Sequence, residues 1–360
     1  MNEATAKYRA AVIACGGISS AHAHGYQTNN IPIVACADIN PAALSSFGER
    51  FGVPEGSRYL DYNEMLGKER PEIVSVCSHH HLHAPMTIDA AKSKPLAIFC
   101  EKPIALSLGE ADAMMDACSK VGAILVIGHQ RRLSPQYVAA YESLKNGDIG
   151  ELVSMEAHGH PYTSLLVDGT HTIDLLRWYA DDDQIDWVFG QVDAGEKRHA
   201  WGSLVEDAAI AIFTFNSGIR TIVTFGGGNL QKDGKKYHDP LWRGVEGNNY
   251  HLMILRGTEG QIEIDGDSPT PGRPWVRLIR NGTVKELQLP QIPGAHTEIV
   301  RQMINCIETK ARHLLDATSA RATLEVLMAV FESSRRRSVI QLPLNISENP
   351  LFEMVDNGQI

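Results

Sequence analysis

Five short apolar runs mark the first third of the chain, at residues 10–14, 31–37, 73–76, 96–99 and 123–127, and the intervals between them carry helical patterns. Strands that are apolar on both faces need cover on both faces, which is the condition of a parallel sheet flanked by helices. Crossover helices are expected at 18–27, 41–51, 85–92 and 107–120, several of them opened by Pro or Ser. Right-handed βαβ units follow, and with them an α/β fold whose N-terminal part, residues 1–130, is a doubly wound parallel sheet of the Rossmann kind.

Beyond the helix expected at 135–145 the texture changes. Strand-like runs at 152–157, 187–192, 208–215, 219–225, 251–256, 261–264, 276–279 and 284–289 have shorter connections, and Asn216-Ser217-Gly218 and Asn281-Gly282 read as hairpin turns. Residues 131–360 are therefore expected to form an α+β domain on a mainly antiparallel sheet, with late helices at 297–309 and 320–334. The stretch 226–249 is long and mixed and reads as a substrate-side loop or a subunit contact.

The formal net charge is −10, which repels nucleic-acid phosphates and anionic membrane surfaces, so a small neutral ligand suits the chain better than either. Cys15, Cys36, Cys77 and Cys100 fall in or beside expected strands, with Cys118 and Cys306 on helices. Without paired spacing they read as reduced, buried thiols of a cytoplasmic protein, and no export or membrane-spanning segment is visible.

The segment from Val12 to Ser19 leaves the first strand and opens the first helix, where helix N-terminal amides favour a pyrophosphate. Its spelling departs from G-x-G-x-x-G, with Ala14 at the first glycine and Ser19 at the third, but Gly16 keeps the position of closest backbone approach, and Gly17 and Ile18 beside it are further candidates for cofactor binding. A plain strand-to-helix turn can look the same. The next strand distinguishes them, because it ends in Asp38, a carboxylate about 20 residues on that can accept both ribose hydroxyls of adenosine. Neither Ile39 nor Asn40 supplies an arginine for a 2′-phosphate, so NAD is favoured over NADP.

Lys102, in Cys100-Glu101-Lys102-Pro103, stands at the carboxyl end of the fourth apolar run, the edge of an open sheet that faces ligands. Downstream, His171 and Asp174 share one face of a helix that starts near Asp168. Each has a plain structural alternative, a solvated lysine before a turn proline or a core histidine with a satisfied hydrogen bond.

Together these segments resemble the glucose-fructose oxidoreductase / inositol dehydrogenase (Gfo/Idh/MocA) family over nearly the whole chain. The likeness is carried by the glycine loop with His22, the stretch from Ser78 to Pro85, Glu101-Lys102-Pro103, the run Gly128-His129-Gln130-Arg131-Arg132, His171-x-x-Asp174 and the ending Gln341-Leu342-Pro343-Leu344. The resemblance implies oxidoreduction of sugars, glycosides, inositols or related alcohols with NAD(P), and an open-faced sheet domain that mediates homo-oligomerisation, as a dimer or tetramer. By position, Lys102 resembles the lysine contacting cofactor and substrate, His171 the catalytic acid/base and Asp174 a second substrate-facing residue. Ser78, His79, His83, Glu101 and Gln130 fall with the cofactor-binding segments. Val167 stands where many members carry an aspartate, leaving Asp168 as a displaced substrate ligand or a helix cap, and His79 stands where a proline is usual.

Arg131, His158, His160, Asp168, Trp242 and Arg243 are candidate partners for substrate hydroxyls, with Tyr162 beside the two histidines. The cluster His79, His80, His81 and His83 lacks the accompanying cysteines or carboxylates of a zinc quartet, so no metal is expected. Two other readings compete with a dehydrogenase. One is an NAD-dependent glycosidase that oxidises, eliminates and returns the hydride; the other is a non-catalytic dinucleotide sensor on the same fold.

Overall fold

The computed structural model describes residues 7–160, 163–226, 231–232, 235–236, 251–269 and 271–360. The expected loop at 226–249, with Trp242 and Arg243, lies outside these apart from Gly226 and two short strands, and Tyr162 lies outside them too. The chain divides into two compact units, Met1–Leu133 with Ile292–Arg321, and Ser134–Gln291 with Ala322–Ile360.

In the first unit β1 (Ala10–Ile13), β2 (Ile33–Ala37), β3 (Arg58–Tyr59), β4 (Ile73–Val76), β5 (Ala97–Cys100) and β6 (Ile124–Ile127) form a parallel sheet in the order β3-β2-β1-β4-β5-β6. Every residue of β1, β4 and β5 is buried, as strands covered on both faces must be. The covering helices are α1 (Ser19–Thr28), α2 (Pro41–Phe51), α3 (Tyr62–Glu69), α4 (His83–Lys92) and α5 (Leu108–Val121). Asn40 and Ser107 cap α2 and α5 through their side chains, and left-handed Gly52 and Gly122 end them. β3 is two residues long and α3 eight, too short to leave a periodic signature in the sequence. The strand order reverses between β1 and β4, which opens a crevice at their carboxyl ends.

A later helix, α8 (Ala295–Thr309), also belongs to this unit. Its Ile299, Val300, Met303 and Ile307 share a core with Tyr8, Ala23 and Tyr26. Gly25 on α1 permits the approach, since a Cβ there would lie 2.9 Å from the carbonyl oxygen of His296.

The second unit opens with α6 (Pro135–Lys145), β7 (Leu152–His158), α7 (Thr170–Tyr179) and β8 (Ile185–Asp193). A short ladder, β9 (His199–Ala200) with β10 (Ser203–Leu204), precedes β11 (Ala208–Phe215) and β12 (Arg220–Gly226), and a second pairs β13 (Gln231–Lys232) with β14 (Lys235–Lys236). β15 (Leu252–Gly257), β16 (Gln261–Asp265), β17 (Val276–Arg280), β18 (Thr283–Glu286), α9 (Ala317–Arg336), β19 (Ile340–Gln341) and α10 (Pro350–Asp356) complete it, α9 beginning in the first unit. Nine strands form one mixed sheet, β18-β17-β16-β15-β7-β12-β11-β8-β19, antiparallel throughout except for β7 beside β12. Asn281 and Gly282 both take positive φ, 50° and 73°, the requirement of the tight turn between β17 and β18.

The sheet alternates on β8 from Val188 onward and along β11. Val188, Val192, Ala209, Ala211, Phe213 and Phe215 point inward, and Ser333 and Ser334 of α9 accept hydrogen bonds from the N–H groups of Gly190 and Val192 at 2.9 and 3.2 Å. All six cysteines are buried free thiols. Among the described residues no helix is long and apolar enough to cross a membrane.

Candidate active site

The turn after β1 is shaped by one left-handed residue. Ala14, at the first-glycine position, has φ 68°, and its N–H donates to Ala37 O at 2.8 Å. The next N–H, of Cys15, donates to Asp38 Oδ2 at 2.7 Å, while Asp38 Oδ1 accepts from Asn40 N–H at 2.7 Å. Ser19, at the third-glycine position, is buried and closes the turn by donating its hydroxyl to Gly16 O at 2.5 Å. A Cβ at Gly16 or Gly17 would meet nothing within 4 Å, so the backbone there is open to a ligand. A cleft of about 410 Å³ gathers Gly16, Asp38, Ile39, Leu60, Ser78 and His79. Ile39 and Leu60, 89% and 58% exposed, give it an apolar rim. An open diglycine turn beside a carboxylate and an apolar rim fits an adenine dinucleotide.

Gly17, Ile18, His83, Glu101, Lys102 and Gln130 do not line that cleft. Glu101 is buried beneath the sheet's rim, where its Oε1 lies 3.0 Å from His22 Nε2 and its Oε2 accepts the Lys102 N–H at 3.3 Å. Burial alone would raise its pKa, but the imidazoles of His22 and His296 hold the carboxyl well below the usual range. His83 is fully buried, its ring nitrogens 2.7 Å from Pro103 O and 3.1 Å from Ser78 O. It ties the Lys102–Pro103 segment to the Ser78 turn. Burial lowers its pKa, against the pull of the two carbonyl oxygens. His80 is buried with its pKa lowered to about 3, while His79 and His81 are exposed. Gln130 and Arg131 sit half-buried on the 3₁₀ turn Gln130–Leu133.

In the second unit α7 is entered through a π-helical turn, Leu165–Gly169. Ser164 caps this entry, its side chain accepting from Val167 N–H at 3.2 Å, and Glu206 accepts the N–H of Leu165. Asp168 is thus not the capping residue. It lies half-buried in the turn near His160, whose pKa is lowered by burial against the pull of the Asp168 charge. His158 on β7 is held by Thr224 Oγ1, 2.7 Å from its Nδ1.

His171 and Asp174 are both buried, three residues apart on α7 and so on one face. Asp174 Oδ1 accepts from Thr323 Oγ1 at 3.5 Å. The His171 ring meets His251 edge to face, centroids 5.8 Å apart and planes at 76°. His251 is anchored by Thr172 Oγ1, 2.6 Å from its Nδ1, with Asp267 Oδ2 3.9 Å from its Nε2 and Tyr137 donating to Asp267 Oδ1 at 2.7 Å. Sequence reasoning missed His251 and Glu206. Neither sits in a motif, and each is far along the chain from its partner, Glu206 41 residues from Leu165 and His251 79 from Thr172, so only the fold brings them there.

Residues 8–129 match the family described as "Oxidoreductase family, NAD-binding Rossmann fold", and residues 141–342 its companion, "Oxidoreductase family, C-terminal alpha/beta domain", both of the Gfo/Idh/MocA group. The D-apiose dehydrogenase of Paraburkholderia graminis is 28% identical over 98% of this chain and 95% of its own. The myo-inositol 2-dehydrogenase of Thermotoga maritima is 28% identical over 71% of this chain and 75% of its own. Among solved structures, an oxidoreductase from Agrobacterium radiobacter in complex with NAD+, L-tartaric acid and magnesium has the same fold, with a TM-score of 0.74 at 18% identity over 93% of this chain and 98% of that one.

Proposed function

The chain belongs to the Gfo/Idh/MocA oxidoreductase family, and from that premise we propose that it is an NAD-dependent dehydrogenase of a sugar, glycoside or inositol-like polyol. The observation that carries this reading is the Asp38 carboxylate bonded to the Cys15 N–H beside an open Gly16-Gly17 turn. Bound NAD supplies the hydride acceptor. Gly16, Gly17 and Ile18 offer it backbone and the start of α1, Asp38 accepts its ribose hydroxyls, and Ser78 and His79 wall the cleft. His83 and Glu101 act one layer back, as positioning residues for Ser78 and Lys102, and Gln130 completes the binding segment. Neither Ile39 nor Asn40, the two residues after Asp38, is an arginine, which favours NAD over NADP.

In this reading neutral His171 takes the proton of the substrate hydroxyl and the Lys102 ammonium stabilises the developing alkoxide. Asp174 binds a second hydroxyl, and Arg131, His158, His160 and Asp168 supply further partners. His251, packed edge-on against the His171 ring, is a positioning residue. The dehydrogenases of apiose and myo-inositol among the relatives act on polyhydroxylated carbon skeletons of this class, which supports the substrate reading. The same reading gives a cytoplasmic homo-oligomer with small-molecule substrates and without nucleic-acid or membrane partners.

A panel of sugars, glycosides and inositols offered with NAD or NADP, read by reduced-nicotinamide absorbance, tests it. Lys102→Ala and His171→Ala should each lower kcat by roughly 100-fold or more, with a much smaller change in NAD affinity. Full turnover in both variants would overturn the assignment. Glycoside cleavage without net NADH would instead establish the oxidation–elimination cycle, and NAD binding without turnover on any substrate would establish a sensor.

A further inference from the structure

Three side chains from distant parts of the sequence converge in the first unit. His22 comes from α1, Glu101 from the end of β5 and His296 from the start of α8, and one potential ligand atom of each lies within 4.8 Å of the others. His22 Nε2 is 3.0 Å and His296 Nε2 3.8 Å from the same oxygen, Glu101 Oε1. We propose that His22, Glu101 and His296 form a binding site for one divalent transition-metal ion, zinc by its ligand chemistry.

Four observations support it. Two imidazoles and one carboxylate are a donor set that zinc accepts, at ligand distances of about 2.0–2.2 Å, with a further position left for water. His296 Nε2 is buried, yet without a cation it has no hydrogen-bond partner, an arrangement that costs free energy unless something occupies it. The outer layer is built: His22 Nδ1 lies 2.9 Å from Ser75 Oγ, itself 2.6 Å from Tyr26 OH, and His22 stacks on Phe99 at 3.8 Å, so the ring is held from behind. Finally, two glycines clear the space. A Cβ on Gly128 would fall 2.7 Å from Glu101 Oε1, and one on Gly25 would fall 2.9 Å from His296 O and push α8 away.

The ion would join α1, β5 and α8 at one point and fix the carboxylate that accepts the Lys102 N–H. No local spacing announces such a site, because its ligands stand at positions 22, 101 and 296. The cluster His79, His80, His81 and His83 is dense in the sequence, but the ring nitrogens of His83 already lie against carbonyl oxygens.

The test uses full-length protein with any histidine tag removed. Elemental analysis after dialysis should give about one zinc per chain, and chelated protein titrated with Co²⁺ should develop visible d–d bands saturating at the same stoichiometry. Zinc should also raise the melting temperature of the chelated protein in a concentration-dependent way. His296→Gln should weaken Zn²⁺ binding by more than the roughly 10–100-fold that loss of an outer-shell partner costs, while His24→Gln, which replaces an exposed histidine on α1, the helix of His22, should bind as wild type. NAD affinity checks that the His296→Gln chain is folded. Ser75→Ala should weaken the metal roughly tenfold, which probes the site with all three ligands intact. Chelated protein that takes up neither Zn²⁺ nor Co²⁺ stoichiometrically, or uptake indifferent to His296→Gln, overturns the proposal.

Discussion

The backbone N–H of Cys15 donates to Asp38 Oδ2 at 2.7 Å, so one carboxylate ends β2 and also holds the turn that ends β1. Its two roles separate in Asp38→Asn, which keeps an oxygen for Cys15 but loses the negative charge. NAD affinity should fall about tenfold, or 1.4 kcal/mol, as charge-assisted bonds to ribose hydroxyls are weakened. NADP should gain relative to NAD, because repulsion of the 2′-phosphate disappears. Equilibrium titration with both nucleotides reads this, and an unchanged NAD-to-NADP ratio would remove Asp38 from the specificity argument.

Ala14 precedes that hydrogen bond with φ 68°. A left-handed conformation costs a residue with a Cβ roughly 1–2 kcal/mol, of which glycine's larger unfolded-state entropy returns part. Ala14→Gly restores the first glycine of the fingerprint and should stabilise the first unit by about 1 kcal/mol, seen as a melting temperature a few degrees higher. A lower melting temperature would mean that the Ala14 methyl contributes packing that outweighs the backbone strain.

Sequence pattern recovered five of the six strands of the doubly wound sheet because those five are almost wholly apolar and two of the crossover helices are capped by Asn40 and Ser107. It also recovered the hairpin at Asn281-Gly282, where positive φ demands those residues. What it could not recover depends on distance along the chain. The apolar stripe of α8 reveals a buried face, but that the face packs on α1 is decided by Gly25, some 270 residues away. Glu101 and His83 stand in segments tied to the cofactor, but that both are buried and contact backbone, at Lys102 N and at Pro103 O, is legible only in the fold. Asp168 could be read as a helix cap until the π-helical entry to α7 showed Ser164 in that role.

Glu206 should make stability depend on pH. It is fully buried, and desolvation raises its pKa from the ordinary 4.5 to about 7 despite the backbone N–H groups that face it. The folded chain therefore holds a proton that the unfolded chain has released between those two values. The resulting stabilisation is complete below about pH 4.5 and is lost as pH rises through about 7. Its size is on the order of 3 kcal/mol. Glu206→Gln keeps an oxygen for the Leu165 N–H and cannot ionise. Its melting temperature relative to wild type should rise as pH goes from about 5 to about 8; parallel profiles would show that Glu206 is already ionised at low pH.

On the outer face of the second unit's sheet, Ile212 of β11 lies in register with Phe189 of β8 on one side and Ile222 of β12 on the other. The three are 38%, 44% and 42% exposed, an apolar row on a surface where alternation would place polar side chains. The row continues into Glu156 of β7, Ile254 of β15 and Glu263 of β16, where Arg256 pairs with Glu156 and Arg277 with Glu263. A face with an apolar end and a charged end of both signs can meet a second copy of itself about a twofold axis. Ile212→Lys would place an ammonium in the middle of the apolar row, and should raise the dissociation constant of the oligomer roughly 100-fold while leaving the monomer folded, because the side chain points away from the core. Sedimentation equilibrium on wild type and variant at matched concentration distinguishes the outcomes: a monomeric wild type, or a variant of unchanged mass, excludes this face as the subunit contact.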